Sequence, residues 1–367
     1  MMAKGTLCVL DPASILVVAP HFKRRLSGVT STVVQLIPQQ RRRGLAIATL
    51  GPGLPETMPA LTFAQMPALW KKPRGASHRV WHARRNLEML VGVVLRDVLR
   101  MPLKLLFTSA AQRHHSRYTR WLISKMDAVV ATSARSGSFL HVPHSVIRHG
   151  IDTELFHPPQ GAEDRIAATN LPGDYLIGCF GRVRHQKGTD LFVKAMIELL
   201  PRYPGWTAVV SGRVTPEHKG FAEGLKAQIA AASLTERIVF LGEVEDIKPW
   251  YRRLTLYVAP SRNEGFGLTP LEAMASETVV VASDAGAYAE LIAEGATGAV
   301  VAADAYAPLR DAIEPYLADP GRACLHGKAA VAHVRENFAL AREAAGLEAV
   351  YSRLLGRPVI APPAPQP

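Results

Sequence analysis

Short apolar runs of strand length alternate with helix-length segments along this 367-residue chain, and partway through the alternation restarts. Residues 13–19 read as a buried strand, 29–43 as a helix and 45–50 as a second strand. Segment 78–100 reads as helical, 103–108 as a strand, 114–125 as a helix and 128–132 as a strand. A proline-containing stretch at 149–161 interrupts the series. Strands are then predicted at 175–180, 207–210, 238–241, 256–259 and 278–282, each separated by a helix-length segment. Apolar runs of this length between helices specify mostly parallel sheets covered on both faces. The length agrees with two such units, since single cores rarely exceed roughly 250–300 residues. The expected division is an N-terminal domain over 1–155, a C-terminal domain over 156–340, a helix at 341–355 as a candidate to pack back on the N-domain, and a disordered proline-rich tail at 356–367.

Composition narrows the class of partner. The chain is 48% hydrophobic and 20% charged, as in ordinary globular proteins rather than disordered ones. Its three cysteines, Cys8, Cys179 and Cys324, are far apart and give neither a disulfide framework nor zinc spacing, so a reducing compartment is expected. No secretory signal is read near the N-terminus, where the apolar run 15–19 is short and flanked by Asp11 and by His21–Arg25. Charge is unevenly distributed: residues 1–150 hold 22 Lys and Arg against 5 Asp and Glu, and the remainder hold 21 against 26. The first half therefore wants an anionic partner, and nucleic acid, anionic lipid and a phosphorylated substrate all fit.

Doubly wound sheets bind ligands at the carboxyl ends of their strands, and four loops there carry possible chemistry. Ser27-Gly28 opens a helix after the first strand, where glycine admits a ligand and free N–H groups meet an anion; a plain βα turn uses the same glycine. Gly181-Arg182-Val183-Arg184-His185-Gln186-Lys187-Gly188 sets Arg182, with its fork, and Lys187, a point charge, five residues apart, a spacing that can straddle a diphosphate. A solvated basic turn reads the same way. Gly242-Glu243-Val244-Glu245-Asp246 can present backbone to a nucleobase edge, or cap the following helix. The fourth loop runs from Ser261 to Ala275. In it Thr269, Pro270 and Glu272 fit a capping box. Glu264 has no capping role. It precedes glycines that expose N–H groups to a phosphate, and a carboxylate there is repelled unless it turns to hydroxyls, which assigns it to a sugar. The chain has no Asp-x-Asp pair. No metal and no cofactor are expected, because a diphosphate bound here could have its charge met by Arg182, Lys187 and the helix start instead.

Together, Glu264-x7-Glu272, the run Gly-Phe-Gly-Leu-Thr-Pro-Leu-Glu-Ala-Met-Ala, Gly-Arg-x4-Lys-Gly and the early Ser-Gly loop resemble the family 4 retaining glycosyltransferases. The resemblance spans nearly the whole chain and is strongest over 177–298. It implies the GT-B fold, α/β with two Rossmann-like doubly wound parallel-sheet domains facing a central cleft. It also implies roles. Glu264 contacts donor-sugar hydroxyls and Glu272 the nucleotide ribose. Arg182 and Lys187 neutralise the diphosphate, Gly28 belongs to the N-domain loop that closes on it, and the backbone at Val244 reads the base. Phe266, Gly267, Leu268 and Thr269 fall in the same donor-binding run. The sequence departs from the family at Ser27-Gly28, where many members have two glycines, and at Ala285-Gly286-Ala287, where a glycine pair is common.

Residues 107–115 and 126–133 are similar to bacterial lipopolysaccharide-core mannosyltransferases, which implies GDP-mannose as donor and a lipid-linked acceptor in the Kdo-lipid A region. His114 or His115, after the strand at 103–108, is a candidate to meet the reacting sugar or hydroxyl, with His114 preferred; a solvated helix start is the alternative. Trp70, Lys71, Lys72, Arg74, Arg79, Trp81, Arg84 and Arg85 precede the apolar segment 87–95, with Arg96, Arg100 and Lys104 after it. Such a pattern reads as an interfacial segment on the cytoplasmic face of a membrane, too short to cross it; a core helix with a basic side is the other reading. No nucleic-acid motif is present. The readings held against a mannosyltransferase are a family 4 enzyme using a UDP-sugar for another envelope glycan, a GT-B-fold epimerase or phosphorylase, and an inactive sugar-binding scaffold.

Overall fold

The computed structural model describes residues 10–23 and 28–360. Cys8, Ser27 of the Ser-Gly loop and the last seven residues of the proline-rich segment lie outside them. The chain forms two compact units, Met1–His149 with Leu340–Pro367, and Gly150–Ala339.

The first unit carries strands β1 (Val17–Pro20), β2 (Ile47–Leu50), β3 (Ala60–Leu61), β4 (Arg79–Ala83), β5 (Leu103–Ser109), β6 (Ala128–Ala131) and β7 (Ser145–Val146). They form a parallel seven-stranded sheet in the order β3-β2-β1-β4-β5-β6-β7. Alternation along the strands splits the core. Val17, Ile47, Val80, Leu106 and Val130 face one layer, and Val18, Ala48, Trp81, Leu105 and Phe107 face the other. Its first helices are α1 (Gly28–Arg42), α2 (Asn86–Val93), α3 (Arg117–Ser124) and α4 (Ala134–Gly137).

The single helix expected at 78–100 does not form. Its first part is β4, the central strand, and α2 follows, running into a π turn at Val94–Val98. Buried polar side chains disguise the strand. Arg79 is fully buried, donating to the carbonyls of Ile15 (3.1 Å), Leu69 (3.2 Å) and Pro12 (2.9 Å) and to that of Lys71. Trp81, also fully buried, donates its indole N–H to Glu88 O at 2.8 Å. These two residues therefore belong to the core and not to an interfacial helix.

The second unit carries β8 (Tyr175–Phe180), β9 (Trp206–Ser211), β10 (Ile238–Gly242), β11 (Leu256–Ala259), β12 (Val279–Ser283) and β13 (Gly298–Val301). They too are parallel, in the order β10-β9-β8-β11-β12-β13. Helices α5 (Thr189–Leu199), α6 (Lys219–Ala231), α7 (Lys248–Arg253), α8 (Thr269–Ala275), α9 (Tyr288–Leu291), α10 (Tyr306–Ala318) and α11 (Pro320–Asn337) accompany them. Val210, Val258 and Val281 face one core layer, and Val209, Tyr257 and Val280 the other.

Helix α12 (Leu340–Leu355) belongs to the first unit, with Leu347, Tyr351 and Leu355 packed in the layer that holds Val33, Leu36 and Ile37 of α1. Arg43 grips Glu348 with three hydrogen bonds of 2.9–3.0 Å. His82 is sealed between the Tyr351 hydroxyl and the Thr108 hydroxyl, each 2.7 Å away. Burial drives its pKa well down, so the ring is neutral, and raises that of Tyr351 to about 12. Residues 356–360, expected to start the tail, are instead folded: Val359 is buried and its N–H donates to Ser352 Oγ at 3.2 Å. Proline content suggested disorder there, but Val359 and Ile360 supply apolar surface that packs.

Candidate active site

In the second unit the residues singled out in the sequence gather at the carboxyl ends of β8, β10 and β11. Gly181, in the left-handed region at φ 136°, ends β8 and releases the basic loop. That loop closes at Gly188, φ 68°, where a Cβ would stand 1.9 Å from Pro260 O, so only glycine lets it lie against the end of β11. Arg182 is exposed, while Lys187 is half-buried. The Lys187 Nζ pairs with Glu264 Oε2, which joins the loop after β8 to the loop after β11. Glu264 Oε2 also accepts from the Tyr288 hydroxyl at 3.4 Å, and Glu264 Oε1 from Gly265 N at 3.2 Å. Gly267 has φ 84°, and a Cβ on it would meet Tyr288 Cε1 at 2.3 Å, so the loop's path depends on glycine here.

Glu272 does not join a capping box. Leu268, not Thr269, is the N-cap of α8, with no side-chain hydrogen bond, and Thr269 and Pro270 are the first helical residues. The Glu272 carboxylate instead accepts from Tyr251 OH at 2.8 Å. Burial raises its pKa, against the opposing pull of that hydrogen bond and of the Lys187 charge. Phe266 is buried beneath the loop, with Gly267, Leu268 and Thr269 partly exposed after it. Val244 is half-buried just beyond Gly242, whose φ of 72° turns the chain at the end of β10. Arg182, Lys187 and Glu264 thus lie in the loops after the neighbouring strands β8 and β11, and Glu272 lies on α8, which follows the second of those loops.

Gly28 and His114 lie in the first unit. Gly28 is exposed at the start of α1, and an added Cβ would meet no described atom within 4 Å. His114 is exposed and turned to Phe139 and His141, with ring centroids 5.3 and 6.3 Å away. Its neighbour His115 is half-buried with Nε2 3.5 Å from Ser109 Oγ at the end of β5, and burial lowers its pKa. Tyr251, Tyr288 and Arg262 escaped the sequence reading. The tyrosines carry no local motif, and no spacing in the loop from Ser261 to Ala275 marks Arg262. Among the described residues no group of three or more His, Cys, Asp and Glu is arranged to hold a metal ion.

The family description "Glycosyl transferases group 1" matches residues 174–319. The chain is 69% identical over 346 residues, covering 94% of itself and 98% of the relative, to the lipopolysaccharide core biosynthesis mannosyltransferase LpcC of Rhizobium leguminosarum bv. viciae. It is 50% identical over 350 residues, 95% of itself and all of the relative, to LpsB of Rhizobium meliloti (strain 1021), which has the same description. Anabaena HepE, solved with UDP and glucose, shares the fold at a TM-score of 0.77 and 18% identity, over 92% of this chain and 99% of that one.

Proposed function

The chain belongs to the group 1 glycosyl transferases, with the GT-B fold, and from that premise we propose that it transfers mannose from GDP-mannose to a lipid-linked lipopolysaccharide-core acceptor with retention of anomeric configuration. The observation that carries this reading is the 69% identity to LpcC along 94% of the chain. The pairing of Lys187 with Glu264 supports it, because it sets a cation for a phosphate beside a carboxylate for sugar hydroxyls.

In this reading Arg182 and Lys187 stabilise the charge that develops on the departing diphosphate, without a metal. Glu264 holds the donor sugar and Glu272 the ribose. The backbone around Val244 reads the base, and that of Phe266 to Thr269 meets the phosphates. No carboxylate is assigned as a nucleophile, so the acceptor hydroxyl attacks on the face the diphosphate leaves, which retains configuration. Gly28 and His114 are assigned to the first unit's share of the donor and acceptor contacts. His115 shares the His114 assignment, since its ring is turned toward the end of β5.

The acceptor is read as anionic and membrane-borne. No described helix is long and apolar enough to cross a membrane. Trp70 (47% exposed), Val98 (68%) and Leu99 (40%) form an apolar patch, with the Trp70 indole N–H donating to Leu99 O at 2.6 Å. Exposed Lys71, Lys72 and Arg100 adjoin them in sequence. Such a surface suits the cytoplasmic face of an anionic bilayer.

The test is GDP release and mannosyl transfer, measured with GDP-mannose and a panel of UDP-sugars, with and without Kdo-lipid A acceptor. Acceptor-dependent transfer from GDP-mannose is expected. Transfer from a UDP-sugar alone overturns the donor assignment, and nucleotide conversion that ignores the acceptor overturns the transfer itself.

A further inference from the structure

Arg262 lies just past the end of β11, and its guanidinium is spent on protein rather than left open to a ligand. Its Nη1 and Nη2 fork the Asp190 carboxylate at 2.7 and 2.8 Å. Nη1 also donates to His185 O at 2.6 Å, and Nε to Asp304 Oδ1 at 2.6 Å. Its backbone N–H donates to Gln186 O at 2.9 Å. One residue therefore ties together three segments: the basic loop after β8, the first turn of α5 that holds Asp190, and the loop after β13 that holds Asp304. The side chain is 15% exposed, shielded enough for the fork to hold its geometry.

The two bonded carbonyls, on His185 and Gln186, immediately precede Lys187. Two residues after Arg262 comes Glu264. The side chain holds His185 O, and the main chain of the same loop holds Gln186 O, so the contacts on either side of the Lys187–Glu264 pair meet at Arg262. The apolar layers on either side of the sheet close without it, since its partners are loop carbonyls and two carboxylates.

We infer that Arg262 is a positioning residue for the donor site, holding the Lys187 loop in register with the Glu264 loop without itself touching the donor. The inference rests on the proposed donor reading of Lys187. A lysine at 262 keeps the charge but cannot fork Asp190 while also reaching His185 O and Asp304, so the conservative change is expected to fail as well.

The experiment is a double-mutant cycle read by GDP calorimetry on the full chain, with melting temperatures measured alongside. Arg262→Ala and Arg262→Lys are each expected to weaken GDP at least about fivefold, and Asp190→Asn to repeat the loss from the other side of the fork. The double variant Arg262→Ala/Lys187→Ala is expected to bind GDP within about twofold of Lys187→Ala alone, because no lysine remains to be positioned. A purely structural contribution gives losses that multiply, and that result overturns the inference. So does GDP binding by both Arg262 variants at wild-type strength while Lys187→Ala is weakened. Should Lys187→Ala itself bind GDP normally, the donor reading fails first and takes the inference with it. If Arg262→Ala does not fold, Arg262→Lys carries the same cycle.

Discussion

Tyr251, on the helix before β11, donates its phenolic hydrogen to Glu272, on the helix after it, at 2.8 Å. The carboxylate's pKa is raised by burial in spite of that hydrogen bond. The native state therefore keeps a proton on Glu272 to higher pH than the unfolded chain does. Its contribution to stability is greatest below the ordinary glutamate value and falls as pH rises through the raised one. Glu272→Gln removes that cost. The variant is expected to melt at the wild-type temperature or above it at pH 7.5, with the difference shrinking as the pH approaches about 4. A clear drop in melting temperature at pH 7.5 would show that the carboxylate stabilises the fold.

Lys187 and Arg182 are expected to behave differently from such a group, because their proposed partner is the leaving diphosphate. Lys187→Ala and Arg182→Ala should each lower GDP affinity and turnover together, by at least about tenfold. Arg182 is exposed, so its removal should leave the melting temperature unchanged. Normal GDP titrations for both variants would remove these residues from the donor site.

Much of the second unit was legible because its strands are apolar runs. Residues 175–180 and 256–259 coincide with β8 and β11 as read. The first unit was harder for a physical reason. β4 is the centre of its sheet, yet Arg79 and His82 interrupt the apolar pattern and are satisfied only by carbonyls and hydroxyls distant in sequence. The glutamate and lysine of the proposed donor loops could be singled out in the sequence. Their mutual ion pair, the Tyr251 and Tyr288 hydroxyls and the Arg262 fork depend on loops brought together by strand order, which spacing does not encode.

Chelation provides a further check. If cationic side chains alone offset the leaving charge, EDTA should change the transfer rate less than about twofold, whereas a Lewis-acid metal contributes several kcal/mol. Loss of activity restored by Mg²⁺ or Mn²⁺ would overturn the metal-free reading.

The membrane assignment separates exposed residues from core ones. Val98→Asp with Leu99→Asp should reduce sedimentation with phosphatidylglycerol-containing vesicles at least about fivefold, and raising salt should weaken binding of the wild type. GDP affinity should be unaffected. Undiminished vesicle binding by the double variant would exclude this patch as the contact.

Glu264 gives the sharpest test, because its partners lie in two classes. In the protein it pairs with Lys187 and accepts from Tyr288; in the proposed complex it holds donor-sugar hydroxyls. Glu264→Gln keeps size and shape but gives up charge-assisted hydrogen bonds worth roughly 1.5–3 kcal/mol. Turnover should therefore fall about ten- to a hundredfold. GDP alone carries no sugar for this residue to hold, and Lys187 remains, so its titration should be close to wild type. Glu272→Gln should do the reverse, weakening GDP through the ribose. The measurement is a pair of GDP titrations beside a pair of rate assays. If Glu264→Gln loses GDP affinity while Glu272→Gln does not, the two glutamates have exchanged roles and the donor lies the other way round along the loop.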